Sequence, residues 1–577
     1  MDHLNGGARQ QRKFIKRSFF GCLTVLLLFS MGLLTFFFWD DFVPNRDHVE
    51  ADFKNLQKPV FYQGAYYPVS AIGEKESLKL PLELIKEWID PTIIYEQASD
   101  SVIITTKDKV LRLKTSQLNA FINEKSYSLQ FPVVKQNDTL YVPIEPLKQL
   151  YGIELRESDA NSGVILVKQG EELQWGKAVD EDVLPIRTGS SIRHPIVAEL
   201  SVDEQFIIWG EQDDWYKIQK KNGEVGYVSK KNMVQDHVES VSRVEMKQSY
   251  VTWKPANGKL NLTWEHVITK NPDTTKIPEM TGLNVVSPTW FSLADGDGNV
   301  RNLADISYVK WAQSRNLQVW AIFSNGFDPE RTAKALASYD TRMKIIKQLL
   351  SYAQMYQIHG INIDFENVYL KEKANLVQFV REMTPLLHEQ GLVVSMDVTP
   401  KSTNETWSMF YDRPALIEVL DYMMIMAYDE HWASSPKSGS VSSLPWMESS
   451  LTRLLREDKI PPSKLVLGVP FYTRVWTEET KEGKTKVKSE AYSMAGVQKL
   501  IKDKKLTPVF KPEAGQNYVE YSEGAKRYRI WIEDEISMKS RIDLVNKYDL
   551  AGVASWRRGF ERPEIWQVIQ DTLTKQP

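Results

Sequence analysis

Along residues 359–368, HGINIDFENV, apolar Ile361, Ile363 and Phe365 alternate with polar Asn362, Asp364 and Glu366. In an extended chain residues two apart share a face, so the segment predicts a strand with three polar groups on one side. Alone, that pattern also fits a half-exposed antiparallel strand. Its neighbours decide. From Val251 onward short apolar runs recur between helical stretches: LNLTWEHV, MTGLNVVSPTWF, LQVWAIFSN, HGINIDFENV, GLVVSMDVTP, DYMMIMAYD, KLVLGVPFY and LAGVASWRR. Most precede a helical candidate such as DTRMKIIKQLLSYAQMYQ or KEKANLVQFVREMTPLLHEQ, so the chain predicts an α/β fold with an eight-stranded (β/α)8 TIM barrel over 250–577. In such a barrel one strand face meets the helices and the other points inward, with reactive groups at the carboxyl ends. Asn362, Asp364 and Glu366 then point inward, with Glu366 nearest the rim. Buried carboxylates without partners cost several kcal/mol or shift their pKa, so two in one column predict function.

The pattern before the barrel changes several times. Arg9, Arg12, Lys13, Lys16 and Arg17 precede an uncharged run from Ser18 to Trp39, which matches the roughly 20 residues that cross a bilayer. The basic flank predicts a cytoplasmic tail over 1–17, a single-pass transmembrane signal anchor over 18–39, and the remainder outside the cell membrane. A cleaved signal peptide would need small exit residues, and FFFWDD offers bulky ones. Residues 40–58 read as a polar linker. Over 59–170, LELIKEWIDPTIIYEQASDSVIITT is echoed by IEPLKQLYGIELRESDANSGVILVK, each half reading as helix, strand, turn, strand in a small α+β module. Residues 178–236 carry short strands and tight turns, with Asn222-Gly223 predicting a two-residue hairpin turn in a small all-β barrel.

Composition adds mostly exclusions. With 577 residues, 42% hydrophobic and 25% charged, the chain predicts three or four globular domains. A net charge of -3 gives no basis for nucleic-acid binding. The one cysteine, Cys22, lies in the apolar run, so no intramolecular disulfide forms. Eight scattered histidines show no metal-binding spacing, and neither a metal nor a cofactor is expected. DGDGN at 295–299 has Val300 and Ile306 where a calcium loop needs glycine and glutamate, and it predicts a surface turn. KEGKTKVK at 481–488 predicts a solvated hairpin.

HGINIDFE resembles the DGxDxDxE strand of glycoside hydrolase family 18, the chitinase-like barrels. MAYD at 426–429, LGVPFYTR at 467–474 and Trp556 in GVASW match later motifs of that family in order, and NIDFEN, YDEHW and RIWIEDEISMKSRIDLV are most similar to its spore germination and cortex-lytic subgroup. Residues 59–170 resemble a copper amine oxidase N-terminal-like module, with no copper chemistry implied and a stalk or wall contact as its expected role; 178–236 resemble a bacterial SH3-like domain, which binds wall material in some proteins and is a spacer in others.

The family resemblance implies hydrolysis of a β-linked N-acetylhexosamine polymer, peptidoglycan or a chitin-like glycan, with the substrate's acetamido group as nucleophile. It assigns Glu366 as general acid and then base, Asp364 as the group that orients the acetamido N–H, Tyr428 as the holder of its carbonyl, Trp556 as the floor under the sugar and Asp429 as a contact to a sugar hydroxyl. Tyr472, Arg474, Trp290 and Asn325, at or just beyond strand ends, are further candidates to line the cleft. Two positions depart from the motif. His359 replaces its first aspartate, a peripheral place that reads as structural. Asn362 replaces its second, which in the family lies beneath the middle aspartate and can share its proton; the amide is expected to hydrogen-bond Asp364 without ionising. A non-catalytic wall-glycan binder is the alternative reading, and retention of Asp364, Glu366 and Tyr428 together favours the enzyme.

Overall fold

The computed structural model describes residues 43–158, 162–179, 183–242, 250–256 and 258–575, together with Leu28 and Met31. The run that predicts a membrane span otherwise lies outside the described residues; among those described, no helix is long and apolar enough to cross a membrane. The chain divides into two compact units, one comprising residues up to Thr92 with Thr115–Leu118 and Ser128–Met246, the other Ile93–Lys114 with Asn119–Tyr127 and Lys247 onward.

In the first unit a seven-stranded antiparallel sheet runs between Glu172 and Ser240 and closes on Ile186, Phe206, Ile218 and Val228. The Asn222-Gly223 hairpin differs from the expected two-residue turn. Lys220 N–H donates to Glu224 O and Gly223 N–H donates to Lys220 O, which leaves three residues in the loop. Gly223 sits at φ 89°, the left-handed position that a three-residue hairpin loop requires and that glycine adopts without steric conflict.

Both halves of the internal repeat fold as read. Helix Leu82–Trp88 leads into strands Ile94–Glu96 and Ser101–Thr105, and helix Ile144–Tyr151 into Ile153–Glu157 and Val164–Lys168. The strands of the first half join a five-stranded sheet within the second unit.

That second unit is built on eight parallel strands: β1 (Leu260–Glu265), β2 (Val285–Pro288), β3 (Gln318–Ser324), β4 (Gly360–Asp364), β5 (Val393–Val398), β6 (Tyr422–Met426), β7 (Leu465–Pro470) and β8 (Gly552–Trp556). Each pairs with its neighbours in sequence and β8 returns to β1, so the barrel closes. Helix α1 (Ile306–Ser314) follows β2, α2 (Pro329–Leu336) and α3 (Tyr339–Tyr356) follow β3, α4 (Lys373–Glu389) follows β4, α5 (Arg413–Val419) follows β5 and α6 (Leu444–Arg456) follows β6. After β7 the chain makes a five-stranded antiparallel sheet between Tyr472 and Ile532, in which 481–488 are the tip of a hairpin, before α8 (Glu535–Lys547); α7 (Met494–Asp503) lies within this insertion and α9 (Glu564–Leu573) follows β8.

The strand alternation sorts side chains into two cores. Ile361, Ile363 and Phe365 join the helix-side cluster with Leu376, Phe379 and Val380 of α4, whereas Trp264, Trp320, Met424 and Val466 fill the barrel interior. Ile103 and Val110, from the sheet of the first repeat half, also enter the helix-side cluster. Glu96 accepts the Tyr339 N–H with both carboxylate oxygens, 2.8 and 2.9 Å, at the first turn of α3, where the helix dipole favours an anion. It also accepts from Arg342, whose guanidinium bonds Glu382 at 2.8 and 2.7 Å. Part of the segment expected to act as a stalk therefore packs as a piece of the barrel-containing unit.

Candidate active site

The site begins with the close fit of β4. A Cβ on Gly360 would stand 2.8 Å from the Val393 carbonyl and 2.9 Å from the Trp320 ring, so only glycine starts this strand at its observed separation from β5. His359 accepts the Val319 N–H at 3.1 Å, and burial lowers its pKa, which keeps the ring neutral in a place between strands. Asn362 is fully buried, but its partners are not those expected from sequence. Its Oδ1 accepts from Trp264 Nε1 at 2.9 Å and Ser287 Oγ at 3.3 Å, and its Nδ2 donates to Asp397 Oδ1 at 3.0 Å. The expected bond to Asp364 is absent; the amide instead crosses to the neighbouring strand.

Asp364 closes β4 and Glu366 lies two residues beyond, both partly exposed at the rim. Loss of hydration raises the Asp364 pKa to about 7. Glu366 is raised well above the usual carboxylate range, first by loss of hydration and then by the negative charges of Asp364 and Asp429. No described residue donates to Asp364 Oδ1, although that atom is buried. An acceptor oxygen left in this state costs desolvation that nothing in the fold repays, the condition expected of an atom whose donor arrives with a ligand. Around these carboxyls the backbone is fastened. Asn325 grips Glu366 on both sides of its peptide, with Nδ2 donating to Glu366 O at 2.7 Å and Oδ1 accepting Glu366 N–H at 3.2 Å. Tyr411 Oη donates to Phe365 O at 2.7 Å, and Asn367, at φ 53°, donates to Phe327 O at 2.9 Å.

Beyond β6, Tyr428 lies edge-on to Trp264 and to Tyr472, with ring centroids 6.5 and 6.4 Å apart, and Trp264 also contacts Trp556 at 6.0 Å. Burial raises the Tyr428 pKa well above 10, so its hydroxyl remains a donor throughout the physiological range. Asp429 is exposed at φ 60°, and its Oδ1 accepts from Tyr472 Oη at 2.6 Å and Arg474 Nη2 at 3.1 Å. Tyr472 is 5% exposed and Arg474 half-buried, so what these two do in the structure is hold Asp429.

Two candidates are placed elsewhere than expected. Trp290 is 1% exposed in the helix-side core against Tyr308, with its indole N–H donated to Asn271 at 2.6 Å. Asn325 is wholly buried and spends its amide on Glu366 and Thr332. Neither lines a cleft, and Asn325 acts on the backbone that carries Glu366.

The structure also adds residues that the sequence reading passed over. Asp397 on β5 is 2% exposed and bonded to Asn362. Tyr411 anchors the turn after β4. Phe327, Trp407 and Trp432 stand 47, 41 and 52% exposed on loops that follow β3, β5 and β6, the first two with ring centroids 6.4 Å apart. Exposed aromatic rings at the carboxyl end of a barrel are surfaces on which sugar faces can stack.

Known proteins carry the same arrangement of sequence. A curated relative, the uncharacterized glycosylase YvbX of Bacillus subtilis, is 27% identical over 302 residues, 50% of this chain and 85% of that protein. The cortical fragment-lytic enzyme of B. subtilis is 24% identical over 268 residues, 45% of this chain and 61% of that protein's length. Among solved structures, the Bacillus cereus spore cortex-lytic enzyme SleL aligns with a TM-score of 0.49 at 20% identity, over 55% of this chain and 75% of that one. Residues 61–166 match the copper amine oxidase N-terminal domain and 182–234 the bacterial SH3 domain. The family described as "Glycosyl hydrolases family 18" matches residues 249–561, more than half of the chain and all eight barrel strands with the carboxyls at the end of β4, so the chain belongs to that family and is a glycoside hydrolase.

Proposed function

We propose that this hydrolase cleaves the β-linked N-acetylhexosamine backbone of cell-wall glycan, peptidoglycan in the first place, by retaining catalysis assisted by the substrate's own acetamido group. The observation that carries the reading is Asp364: a buried carboxyl with one oxygen that no described residue satisfies, beside a second carboxyl held in its acid form. Glu366 gives its proton to the glycosidic oxygen as that bond to C1 breaks. The acetamido carbonyl oxygen attacks C1 from the opposite face and forms an oxazolinium ion. Asp364 accepts the acetamido N–H and bears the negative charge that this cation needs, while the Tyr428 hydroxyl donates to the carbonyl. The Glu366 carboxylate then takes a proton from water, water oxygen attacks C1, and the ring reopens with the anomeric configuration retained. The closure of the site by Trp264, Trp556 and Tyr428 strengthens each of these electrostatic terms.

The names of the cortical fragment-lytic relatives support wall glycan over chitin as the polymer, and the Ser18–Trp39 run supports an anchored enzyme facing the wall. Tethering at that surface raises the local concentration of substrate. The test is digestion of purified sacculi followed by mass spectrometry of the soluble products. Fragments with new N-acetylhexosamine reducing ends, absent with Glu366→Gln, are expected. Release by Glu366→Gln at the wild-type rate would remove Glu366 from the mechanism; sacculi left intact by wild type that still cuts chitin oligosaccharides would move the substrate to chitin.

A further inference from the structure

Asn362 removes an ionisable group from the place beneath Asp364, and the adjacent strand puts one back. β4 and β5 pair through Asn362 with Ser395 and Ile363 with Met396. One step further along this register, Asp364 and Asp397 stand side by side on neighbouring strands, both on the inward face. Asp397 is sealed from solvent, and its Oδ1 takes the Asn362 Nδ2 at 3.0 Å. Asn362 is itself pinned by Trp264 and Ser287, so its orientation is fixed with the N–H toward Asp397.

We propose that Asp397 is a positioning residue which supplies from β5 the buried titratable carboxyl that Asn362 lacks on β4, so that Asp364, Glu366 and Asp397 titrate as one set. The inference rests on the catalytic reading of Asp364 and Glu366 given above. The charges that bear on Asp397 are those of Asp364 and Glu366, with Asn362 Nδ2 as its hydrogen-bond donor and the Trp264 indole beside it. It bears in turn on Tyr428 beyond β6 and on Tyr411 ahead of α5. The Arg413 guanidinium, 5.1 Å from the Tyr411 ring, bears on Tyr411, and no described cation bears on the three carboxyls, so the set holds its protons against one another and each ionisation raises the pKa of the next. Asp397 thereby helps to keep Glu366 in its acid form up to a higher pH than Glu366 and Asp364 would reach as a pair.

The test is the pH dependence of kcat for a family of isosteric variants on a soluble N-acetylglucosamine oligosaccharide. Asp397→Asn keeps an acceptor oxygen for Asn362 Nδ2 and removes the charge; its alkaline limb should move to lower pH by on the order of one unit. Asn362→Asp adds a carboxyl beside Asp397 and should move the limb to higher pH. The exchange Asn362→Asp with Asp397→Asn restores one carboxyl to the pair and should bring the limb back toward wild type. A residue that merely packs would lower kcat or the melting temperature and leave the limb in place. Unmoved limbs in the variants would overturn the inference. If Asp397→Asn is too slow to profile, the decision falls to Asn362→Asp alone, where an unmoved limb overturns it. Failure of the catalytic reading looks different: Glu366→Gln would then retain wild-type activity, whatever the limbs do.

Discussion

The second unit buries charge in two ways. In the helix layer Arg342 and Glu382, 1% and 0% exposed at their side chains, form a two-bond pair that is completed by Glu96, Gln378 and the Leu336 carbonyl. A second such pair joins Arg541 to Glu533, with Gln516 and Ser537 also donating to Glu533. At the carboxyl end of the barrel Asp397 is buried and Asp364 and Glu366 are partly so, and no cation among the described residues pairs with any of the three. The first kind of burial sets each charge against its opposite and holds elements together. The second keeps an unfavourable electrostatic state that the fold tolerates, and that state is what a protonated acid and a waiting anion require.

The contrast can be broken at either end. The largest effect is expected from Glu366→Gln, which should lower kcat by about 10³-fold or more with the thermal unfolding temperature unchanged or higher, as read by reducing-end assay and calorimetry. Arg342→Met should do the reverse. It leaves Glu382 and Glu96 without their cation and should lower stability by about 3–5 kcal/mol in denaturant titration, while the rate per folded molecule stays near wild type. If Arg342→Met instead removed activity and spared stability, the division between structural and catalytic charge would fail.

A smaller effect sharpens the electrostatics. Asp364 ionises near pH 3.9 in an unfolded chain and at about 7 when folded, so between these values the folded state holds the extra proton. Stability from this group is therefore full at acid pH and falls as pH rises from about 4 to about 7. Asp364→Asn removes that fall and should stabilise the protein at neutral pH by on the order of 2 kcal/mol, allowing for the carboxyl's partial contact with solvent, with little change at pH 4. Equal stability of variant and wild type at both pH values would show that the carboxyl is not held in a strained state.

How much of this could be read from sequence follows from the range of each interaction. The eight barrel strands were legible because each is a short apolar run between helical stretches, and the inward aim of Asn362 and Asp364 followed from period two once those runs made the segment a barrel strand. The partner of Asn362 was not. Along one strand, residues two apart are separated by about 6.6 Å, whereas neighbouring strands lie about 4.8 Å apart. The amide accordingly reaches Asp397 across the sheet, and only the register of β4 on β5 could show it. Asp397 itself is one carboxylate inside the largely apolar run VVSMDV, where Ser395 is the other polar residue on its face and a small hydroxyl marks that face far less strongly than the Asn362, Asp364 and Glu366 column does on β4. Trp290 and Asn325 were placed correctly near strand ends, but whether a side chain just beyond a strand turns to the cleft or to the core depends on contacts such as those with Asn271 and Glu366. The first repeat half looked identical in kind to the second, and its union with the barrel depends on Glu96 meeting α3 more than 240 residues later in the chain.

The account's central claim is that the substrate's acetamido group, held by Asp364 and Tyr428, attacks C1 while Glu366 gives its proton. Proton NMR of the first-formed product from an N-acetylglucosamine oligosaccharide, recorded before mutarotation, tests it most directly. The account predicts the β-anomer, with configuration retained, and no turnover of the same oligosaccharide after N-deacetylation; an initial α-anomer would contradict it.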